Sequence, residues 1–326
     1  MGKTLVTGAS GFTGKGVCRR LIQQGEQVVA FTRPTSNIGE LQAIGVECRK
    51  IDIKSRSVVK DNFSDISKVY HIAAAYRTEH SDKEEFRQVN VEATRNLLEA
   101  AKLSNVKRFI HCSTVGVQGE IDDPPASEEY RYKPGDHYQA SKLEGEILAR
   151  EYFSNGLPGV VVRPVGIYGP GDTRFLKLFR PINKGFFVMI GSGNVLYHMT
   201  YITDLVEGIL LCGTKEEALG EVFTIAGGEY TTIRDLVNLI ADVLNKPRPK
   251  WRIPFLPVYV AAVACDKACR FLGLPPPLYP RRVEFFHQDR AFSIDKARRL
   301  LGYTPTVGLR EGLAATAAWY KENGMI

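Results

Sequence analysis

The stretch TLVTGASGFTGKGV near the start of the chain passes from an apolar strand through several small residues into a helix. Gly8 permits a tight turn off the strand, Gly11 lets the backbone approach a pyrophosphate, and Gly14 lets the helix pack against the strand. The first helical N–H groups, including those of Phe12 and Thr13, have no partner within the helix and favour an anion. The loop therefore predicts a dinucleotide-binding turn at the start of a βαβ unit.

Strand-like and helical patterns alternate through the first half of the chain, which is typical of right-handed crossovers and a parallel sheet. We predict an α/β fold, a Rossmann-type doubly wound parallel sheet, with residues 1–168 as the dinucleotide-binding domain. The predicted strands are residues 4–7, 27–32, 46–51, 68–71, 108–112 and 159–163, and the predicted helices are residues 11–24, 55–62, 82–103 and 136–153.

After residue 168 the pattern loosens, and we predict that residues 169–326 form a smaller, mixed C-terminal substrate lobe over the sheet. The stretch RPVGIYGPGD has the composition of a loop. Residues 221–244 are predicted to return to the large sheet as a strand and a helix. Two further helices are predicted over 203–212 and 309–323.

Composition and charge favour a soluble enzyme in the cytoplasm, without a bound metal. The 326 residues contain no apolar run long enough for a membrane span, and a strand from Lys3 leaves no room for a signal peptide. The six cysteines lack a Cys-x-x-Cys pair, which favours reduced thiols.

The net charge of +7 comes from the segment after residue 245, with fourteen Lys or Arg and six Asp or Glu. This basic segment predicts that the binding partner is an anionic small molecule or an acidic surface rather than nucleic acid. An equal alternative is that the basic residues only face solvent and bind no partner.

The end of the second predicted strand bears on the choice of dinucleotide. An acidic residue there would hold the ribose 2′-hydroxyl of NAD, but this strand ends in Thr32 and Arg33. Arginine pairs with a 2′-phosphate, so NADP is favoured over NAD. Asp52 and Ile53, after the third strand, are predicted to meet the adenine, although Asp52 has a second possible role as the cap of the next helix.

The segment DHYQASKLEGE places Tyr138 and Lys142 on one helical face, directly after a strand that ends in Ser113 and Thr114. Hydride transfer from a carbinol carbon requires removal of the hydroxyl proton, and an unperturbed phenol, with a pKa near 10, ionises too weakly. A neighbouring ammonium favours the phenolate. We therefore expect Tyr138 to be the acid/base, with Thr114 as a hydrogen-bond partner of the substrate oxygen. Lys142 is expected to support the phenolate or to hold the nicotinamide ribose.

Seven motifs spread over nearly the whole chain resemble the extended short-chain dehydrogenase/reductases, the group of nucleotide-sugar epimerases and 3β-hydroxysteroid dehydrogenases. They are the glycine loop, HIAAAY, VNVEATRNLLEAA, STVGVQG, YQASK, RPVGIYGPGD and LLGYTPTVGLREGLAATAAWY. The resemblance implies Thr114, Tyr138 and Lys142 as catalytic residues. It also implies Ala73, Ala74, Asn90, Pro164, Val165 and Ile167 as residues of the cofactor region. A homodimer formed through the helices over 82–103 and 136–153 is implied as well.

Two departures from the group narrow the reaction. Members that dehydrate sugars carry an Asp-Glu pair after the catalytic threonine, whereas Val115 and Gly116 follow here, so dehydration is not expected. Nucleotide-sugar members usually carry an arginine for the diphosphate where this chain has Tyr197 and His198. His198 is either a phosphate contact or, more in keeping with its surroundings, structural. The remaining candidates for a diphosphate contact are Arg174, Arg281 and Arg282.

Three hypotheses about function follow. The first is an NAD(P)-dependent nucleotide-sugar epimerase or oxidoreductase with an anionic sugar-nucleotide substrate. The second is a 3β-hydroxysteroid dehydrogenase-like enzyme acting on an apolar alcohol, and the third is a non-catalytic dinucleotide sensor. The segment 251–282 is apolar, aromatic and basic, and it resembles the region through which steroid-type members of the group handle lipid substrates, which favours the second hypothesis. We expect it to pack over the substrate lobe, with a peripheral membrane contact as the alternative.

Overall fold

The computed structural model describes residues 2–76 and 83–326. Its twelve strands are β1 (Lys3–Thr7), β2 (Val28–Thr32), β3 (Glu47–Lys50), β4 (Ile66–His71), β5 (Arg108–Cys112), β6 (Gly159–Pro164), β7 (Gly166–Tyr168), β8 (Met189–Ile190), β9 (Leu196–Tyr201), β10 (Val222–Ile225), β11 (Tyr230–Thr232) and β12 (Arg252–Ile253).

The helices of the same described ranges alternate with these strands. They are α1 (Phe12–Gln23), α2 (Gly39–Ala43), α3 (Arg56–Asp61), α4 (Lys83–Arg87), α5 (Ala93–Leu103), α6 (His137–Ser154), α7 (Leu176–Asn183), α8 (Ile202–Thr214), α9 (Ile233–Val243), α10 (Phe255–Phe271), α11 (Pro280–Glu284), α12 (Asp295–Leu301) and α13 (Leu309–Glu322).

Seven parallel strands form the large sheet in the order β10-β6-β5-β4-β1-β2-β3. Successive side chains of β1 point to opposite faces, so that Leu5 enters one apolar core and Val6 the other. Helices α1 and α8 cover one face, and α3, α5 and α6 cover the other. The predicted doubly wound Rossmann-type sheet is confirmed.

A smaller mixed sheet belongs to the second half of the chain. In this sheet, β9 pairs with β11 in antiparallel and with β7 in parallel orientation. Strands β8 and β12 form a separate two-stranded parallel sheet. A third apolar core joins α7, α9 and α13 beside this sheet. Residues 221–244 were predicted to return to the large sheet as a strand and a helix. The strand, β10, lies at the edge of that sheet, whereas the helix, α9, packs in the third core. Its apolar face fits α7 and α13 rather than the large sheet.

Two segments differ locally from the sequence-based expectation, and a third, Phe255–Phe271, forms a helix where no element was predicted. The stretch RPVGIYGPGD is not wholly a loop, because β6 runs to Pro164 and β7 follows. The helix expected over 82–103 is divided by a π-helical segment, Gln88–Glu92, and its first predicted residue, Asp82, lies outside the described residues. Helix α10 is continuous, because Pro257 lies in its first turn, where no intrahelical N–H is required. None of the helices within the described ranges has the length and apolar character needed to cross a membrane.

Candidate active site

A cavity of about 1150 Å³ opens at the carboxyl ends of the parallel strands, between the large sheet and the C-terminal half. Ligands bind at this edge in open α/β sheets. Asn90 lies outside the lining, whereas all other residues predicted for the cofactor or the chemistry are part of it: Gly8, Gly11, Phe12, Thr13, Gly14, Arg33, Asp52, Ile53, Ala73, Ala74, Thr114, Tyr138, Lys142, Pro164, Val165 and Ile167.

The turn between β1 and α1 is shaped for a phosphate group. Gly8 has a φ of +70°, and a Cβ there would lie 2.7 Å from the Ala73 nitrogen. A Cβ on Gly14 would lie 2.1 Å from the Gly8 oxygen. The helix is capped by Gly11, which has no side chain to occupy the first N–H groups. These bare backbone groups face the cavity and fit the pyrophosphate of a dinucleotide.

Asn90 supports the cavity wall from behind. It is buried, and its side-chain oxygen accepts a hydrogen bond from the Ala75 nitrogen at 2.9 Å. Its amide nitrogen donates to the Ala75 oxygen and to Ser141 Oγ, 2.9 Å away. Asn90 therefore joins the segment after β4 to α6, next to Lys142. These bonds place Asn90 behind the cavity wall, and its part in the cofactor region stays a prediction.

The ends of β2 and β3 form the far rim of the cavity. Arg33 is exposed there, directly after β2. Asp52 follows β3, and its carboxylate accepts a hydrogen bond from the Lys54 nitrogen at 3.0 Å. Helix α3 has Ser55 as its N-cap, so the alternative role of Asp52 as the helix cap is wrong. The carboxylate bonds to Lys54, which precedes the N-cap residue Ser55 and lies outside the helix.

Helix α6 carries the predicted reacting groups. Asp136 caps it by accepting a hydrogen bond from the Gln139 nitrogen at 2.7 Å. Tyr138 lies in its first turn, with its ring edge-on to those of Tyr76 and Phe86 at centroid distances of 5.4 and 6.0 Å. Because Lys142 is four residues further on, both side chains lie on the helix face that lines the cavity.

Lys142 and Thr114 are held by the end of β5. The buried Lys142 Nζ donates to the Cys112 oxygen at 2.6 Å. Burial lowers the pKa of Lys142, and the nearby Cys112 and Glu146 oppose this effect in part. Thr114 Oγ1 accepts a hydrogen bond from the Gly116 nitrogen at 3.1 Å, which fixes the side chain at the cavity wall. Thr114, Tyr138 and Lys142 therefore all line the same cavity.

A buried ion pair lies behind these groups. Glu146 and Arg163, both without solvent exposure, approach to 2.5 Å between carboxylate and guanidinium. Glu146 also accepts a hydrogen bond from Ser113 Oγ at 2.6 Å. Charged pairs of this kind need complete hydrogen bonding to be tolerated in a core, and Arg163 donates in addition to Tyr132 and to the Glu128 carbonyl. The sequence alone did not single out Glu146 or Arg163.

Aromatic side chains from the C-terminal half cover the other side of the cavity. Tyr197 lies edge-on to Phe285 at 5.0 Å and to Phe175 at 6.3 Å, measured between ring centroids. Phe285 contacts Phe286, also at 5.0 Å, and Phe286 reaches Phe187. All five rings line the cavity. They come from four separate segments of the chain, with Phe285 and Phe286 adjacent, so no local pattern marked the wall in the sequence.

His198 uses both ring nitrogens within the protein. Its Nε2 lies 3.0 Å from the Gly227 oxygen, and its Nδ1 accepts a hydrogen bond from the Phe292 nitrogen at 3.4 Å. Burial lowers the pKa of His198. A neutral ring with these partners agrees with the structural role considered above and not with a phosphate contact.

The three arginines considered for a diphosphate also have partners. Arg174 pairs with the buried Asp172 and lies over the Phe12 ring, 5.7 Å from its centroid. Arg281 pairs with Asp136, and Arg282 donates to the Pro277 oxygen at 2.9 Å. All three line the cavity. Their guanidinium groups add positive charge to it but are oriented in part by the protein.

Two buried histidines lie beneath the cavity, on β4 and β5. His71 bonds Thr7 and Thr94 through its two nitrogens, at 2.8 Å each, and burial lowers its pKa to about 3. His111 lies 5.4 Å from His71 between ring centroids, and burial holds its pKa well below the usual range. Within the described part of the chain, neither nitrogen of His111 has a hydrogen-bond partner.

Comparison with known proteins gives consistent matches over the chain. The model of the NAD dependent epimerase/dehydratase family matches residues 4–226. The sequence is 30% identical to sterol demethylase protein B of Methylococcus capsulatus, over 99% of both chains. It is 29% identical to 2-alkyl-3-oxoalkanoate reductase of Stenotrophomonas maltophilia, over 95% of this chain and 97% of that one. The fold matches UDP-glucuronic acid 4-epimerase from Bacillus cereus, solved in complex with NAD, with a TM-score of 0.79, 28% identity, and 98% and 99% of the two chains covered.

The substitution His111→Leu is expected to make stability less dependent on pH. Below about pH 6.5 the histidines of the unfolded chain bind protons, whereas the buried neutral histidines of the folded protein do not. The free energy of unfolding therefore decreases as the pH is lowered. Each such histidine contributes up to about 1.4 kcal/mol per pH unit. Urea unfolding of the variant should show a decline shallower by about 1 kcal/mol per unit between about pH 6.5 and 5. The exposed His137→Gln is the control; equal slopes for His111→Leu and the unmodified protein would contradict the assignment.

Proposed function

Because the chain belongs to the NAD-dependent epimerase/dehydratase family, we propose that it is an NAD(P)-dependent dehydrogenase or reductase of an apolar secondary alcohol or ketone. This choice reverses the order of the two enzyme hypotheses drawn from the sequence, in which a nucleotide sugar came first. The observation that carries it is the wall of five aromatic rings in the cavity that Tyr138 also lines. Apolar and aromatic walls with few polar groups are typical of sites for apolar ligands.

The position of Tyr197 supports the same choice. The sequence puts Tyr197 where nucleotide-sugar members usually have an arginine, and the ring packs against Phe285. The neighbouring His198 is occupied by backbone partners. A diphosphate would therefore meet a partly buried aromatic ring in place of a cation, at a cost in desolvation. An apolar ring system or alkyl chain would instead gain from burial against the same surface.

The named relatives point to the same class of substrate. One is a sterol demethylase protein and another is a reductase of 2-alkyl-3-oxoalkanoates, and both align over almost the entire chain. Both names describe molecules with large apolar parts. We carry over the substrate class alone and not either compound.

In the proposed reaction, Tyr138 exchanges a proton with the substrate oxygen. Bound NAD(P) would supply or accept the hydride. Thr114 donates a second hydrogen bond to the substrate oxygen and fixes its orientation. Lys142 favours the phenolate when an alcohol is oxidised, and its bond to the Cys112 oxygen holds the ammonium on the same face of α6 as Tyr138. The aromatic wall excludes water from the exchange.

A second candidate, oxidation or epimerisation of a nucleotide sugar, is favoured by the charge of the cavity. Arg174, Lys177, Arg281, Arg282 and Arg290 all line its C-terminal half. The matched UDP-glucuronic acid 4-epimerase acts on such a substrate. The partners of three of these arginines, described above, make this the weaker proposal.

A panel of substrates separates the two candidates. We expect oxidation of NADPH or NADH in proportion to reduction of long-chain or polycyclic ketones, because their apolar parts contact the aromatic wall. Phe285→Ala should lower kcat/KM for a long-chain ketone by roughly tenfold, by loss of about 1–2 kcal/mol of apolar contact. A short ketone that does not reach the wall is the matched control. Epimerisation of a UDP-sugar without net change in coenzyme, together with no turnover of any ketone, would support the second candidate instead.

Tyr138→Phe is expected to lower kcat by roughly 10²–10⁴-fold, because it removes the proton that the reaction exchanges. Binding of the coenzyme, measured by calorimetry, should stay nearly unchanged. Tyr76→Phe is the matched control, since this phenol also lines the cavity and packs against Tyr138. Comparable losses in both variants would argue against Tyr138 as the acid/base.

For the cofactor we propose NADP, on the ground that Arg33 follows β2 at the rim of the cavity without an acidic residue beside it. The matched epimerase structure contains NAD, so both forms must be measured. Arg33→Ala should weaken NADPH binding by roughly 10–100-fold, the effect of losing a charged hydrogen bond, and leave NADH binding unchanged. The exposed Arg299→Ala on α12 is the control. An equal loss for both coenzymes would exclude a 2′-phosphate contact.

A further inference from the structure

Helix α10 exposes an apolar face to solvent. Only Ala262 is buried among its 17 residues. Leu256 and Val260 are one turn apart, and Phe271 follows on the same side, with exposed fractions of 68%, 59% and 89%. Surface helices of globular proteins normally turn polar residues outward. We call the exposed stripe the α10 surface: Leu256, Val260, Ala264, Ala268 and Phe271, with the exposed Lys267 on the same side.

Apolar residues extend the α10 surface beyond both ends of the helix. Trp251, before it, is 77% exposed, and Leu272 and Leu274, after it, are also exposed. Single exposed apolar side chains are ordinary, but a contiguous set of large ones marks an interaction surface. The α10 surface is therefore built for a partner that receives apolar side chains.

The charge around the α10 surface identifies that partner. Residues 246–274 contain six Lys or Arg and a single acidic residue, Asp266, which is paired with Arg270 at 2.9 Å. Exposed aromatic and aliphatic groups surrounded by cations match the boundary of a bilayer whose headgroups are anionic. A second copy of the chain fits less well, because a symmetric contact would bring the same basic residues of both copies together.

The α10 surface is continuous with the wall of the cavity. On the side of α10 away from solvent, Phe255 stacks on His287 at 4.2 Å between ring centroids. His287 follows Phe285 and Phe286, which belong to the aromatic wall. Tyr279 and Arg282, which also line the cavity, come from the segment that joins α10 to this wall. A partner held on the α10 surface thus lies close to the substrate half of the cavity.

We propose that the α10 surface binds the surface of a bilayer that contains anionic phospholipids. Leu256, Val260 and Phe271 enter the interface between headgroups and acyl chains, and the flanking Lys and Arg residues meet the phosphates. Binding of the bilayer does not depend on the reaction. The consequence for catalysis, direct transfer of an apolar substrate from the bilayer into the cavity, rests on the proposed function.

Flotation of the full chain with vesicles tests the proposal. We expect the protein to float with vesicles of phosphatidylcholine and phosphatidylglycerol, and to bind less to phosphatidylcholine alone or at high salt. The double variant Leu256→Asp, Phe271→Asp should bind the mixed vesicles at least about tenfold more weakly, since it removes two apolar groups and adds two like charges. Val58→Asp, on α3, is the control because Val58 is exposed and lies outside both α10 and the helices implied in a homodimer.

Circular dichroism and the urea midpoint check that the variants are folded, and turnover of a short, water-soluble ketone reports on the reaction separately. Absence of vesicle binding by the unmodified protein overturns the proposal, as does equal binding by the double variant. A dimer that dissociates in the double variant, without any binding of vesicles, would assign the α10 surface to a second copy. Vesicle binding without ketone turnover would leave this inference standing and contradict the proposed function.

Discussion

Helix α1 packs directly on the turn that follows β1, and the remainder of the cavity is arranged around that contact. A Cβ on Gly14 would lie 2.1 Å from the Gly8 oxygen, so any side chain there would push the helix away from the sheet. With the glycine, the N-terminal N–H groups of α1 open at the carboxyl edge of the strands. All strands of the large sheet are parallel, and their ends therefore reach the same edge. Residues far apart in sequence meet there for that reason.

Helix α6 connects this arrangement to the side chains that we propose for catalysis. Tyr138, Lys142 and Glu146 are spaced four residues apart and lie along one face. Lys142 is bonded to the end of β5, and Glu146 is paired with Arg163 on β6. The helix is thereby tied to two neighbouring strands by charged hydrogen bonds, which fixes its rotation as well as its distance. The phenol in its first turn takes its direction from these buried contacts.

Local patterns predicted the large sheet and the part of the cavity wall formed by α1, α6 and the strand ends, whereas pairing between distant segments did not appear in the sequence. The glycine loop, the strand ends and the Tyr138–Lys142 spacing each depend on a few adjacent residues. Strand β7 is too short to show a period of its own and forms by pairing with β9, about thirty residues later. Helix α10 was obscured by Pro254 and Pro257, which precede or begin the helix rather than interrupt it. The partners of Asn90 are Ala75 and, on α6, Ser141; both are distant in sequence, so no local pattern indicated them.

The two halves of the cavity make different electrostatic demands on a ligand. The half formed by α1 and the strand ends presents backbone N–H groups and Arg33, and so suits phosphates. In the other half, Arg174 is neutralised by Asp172, and Arg281 by Asp136, before any ligand is considered. A guanidinium group that is already paired with a carboxylate contributes less free energy to the binding of an anion than an unpaired one does. Burial of an apolar group against the aromatic rings is not weakened in this way. These demands agree with the proposed combination of an anionic coenzyme and an apolar substrate in adjacent parts of one cavity.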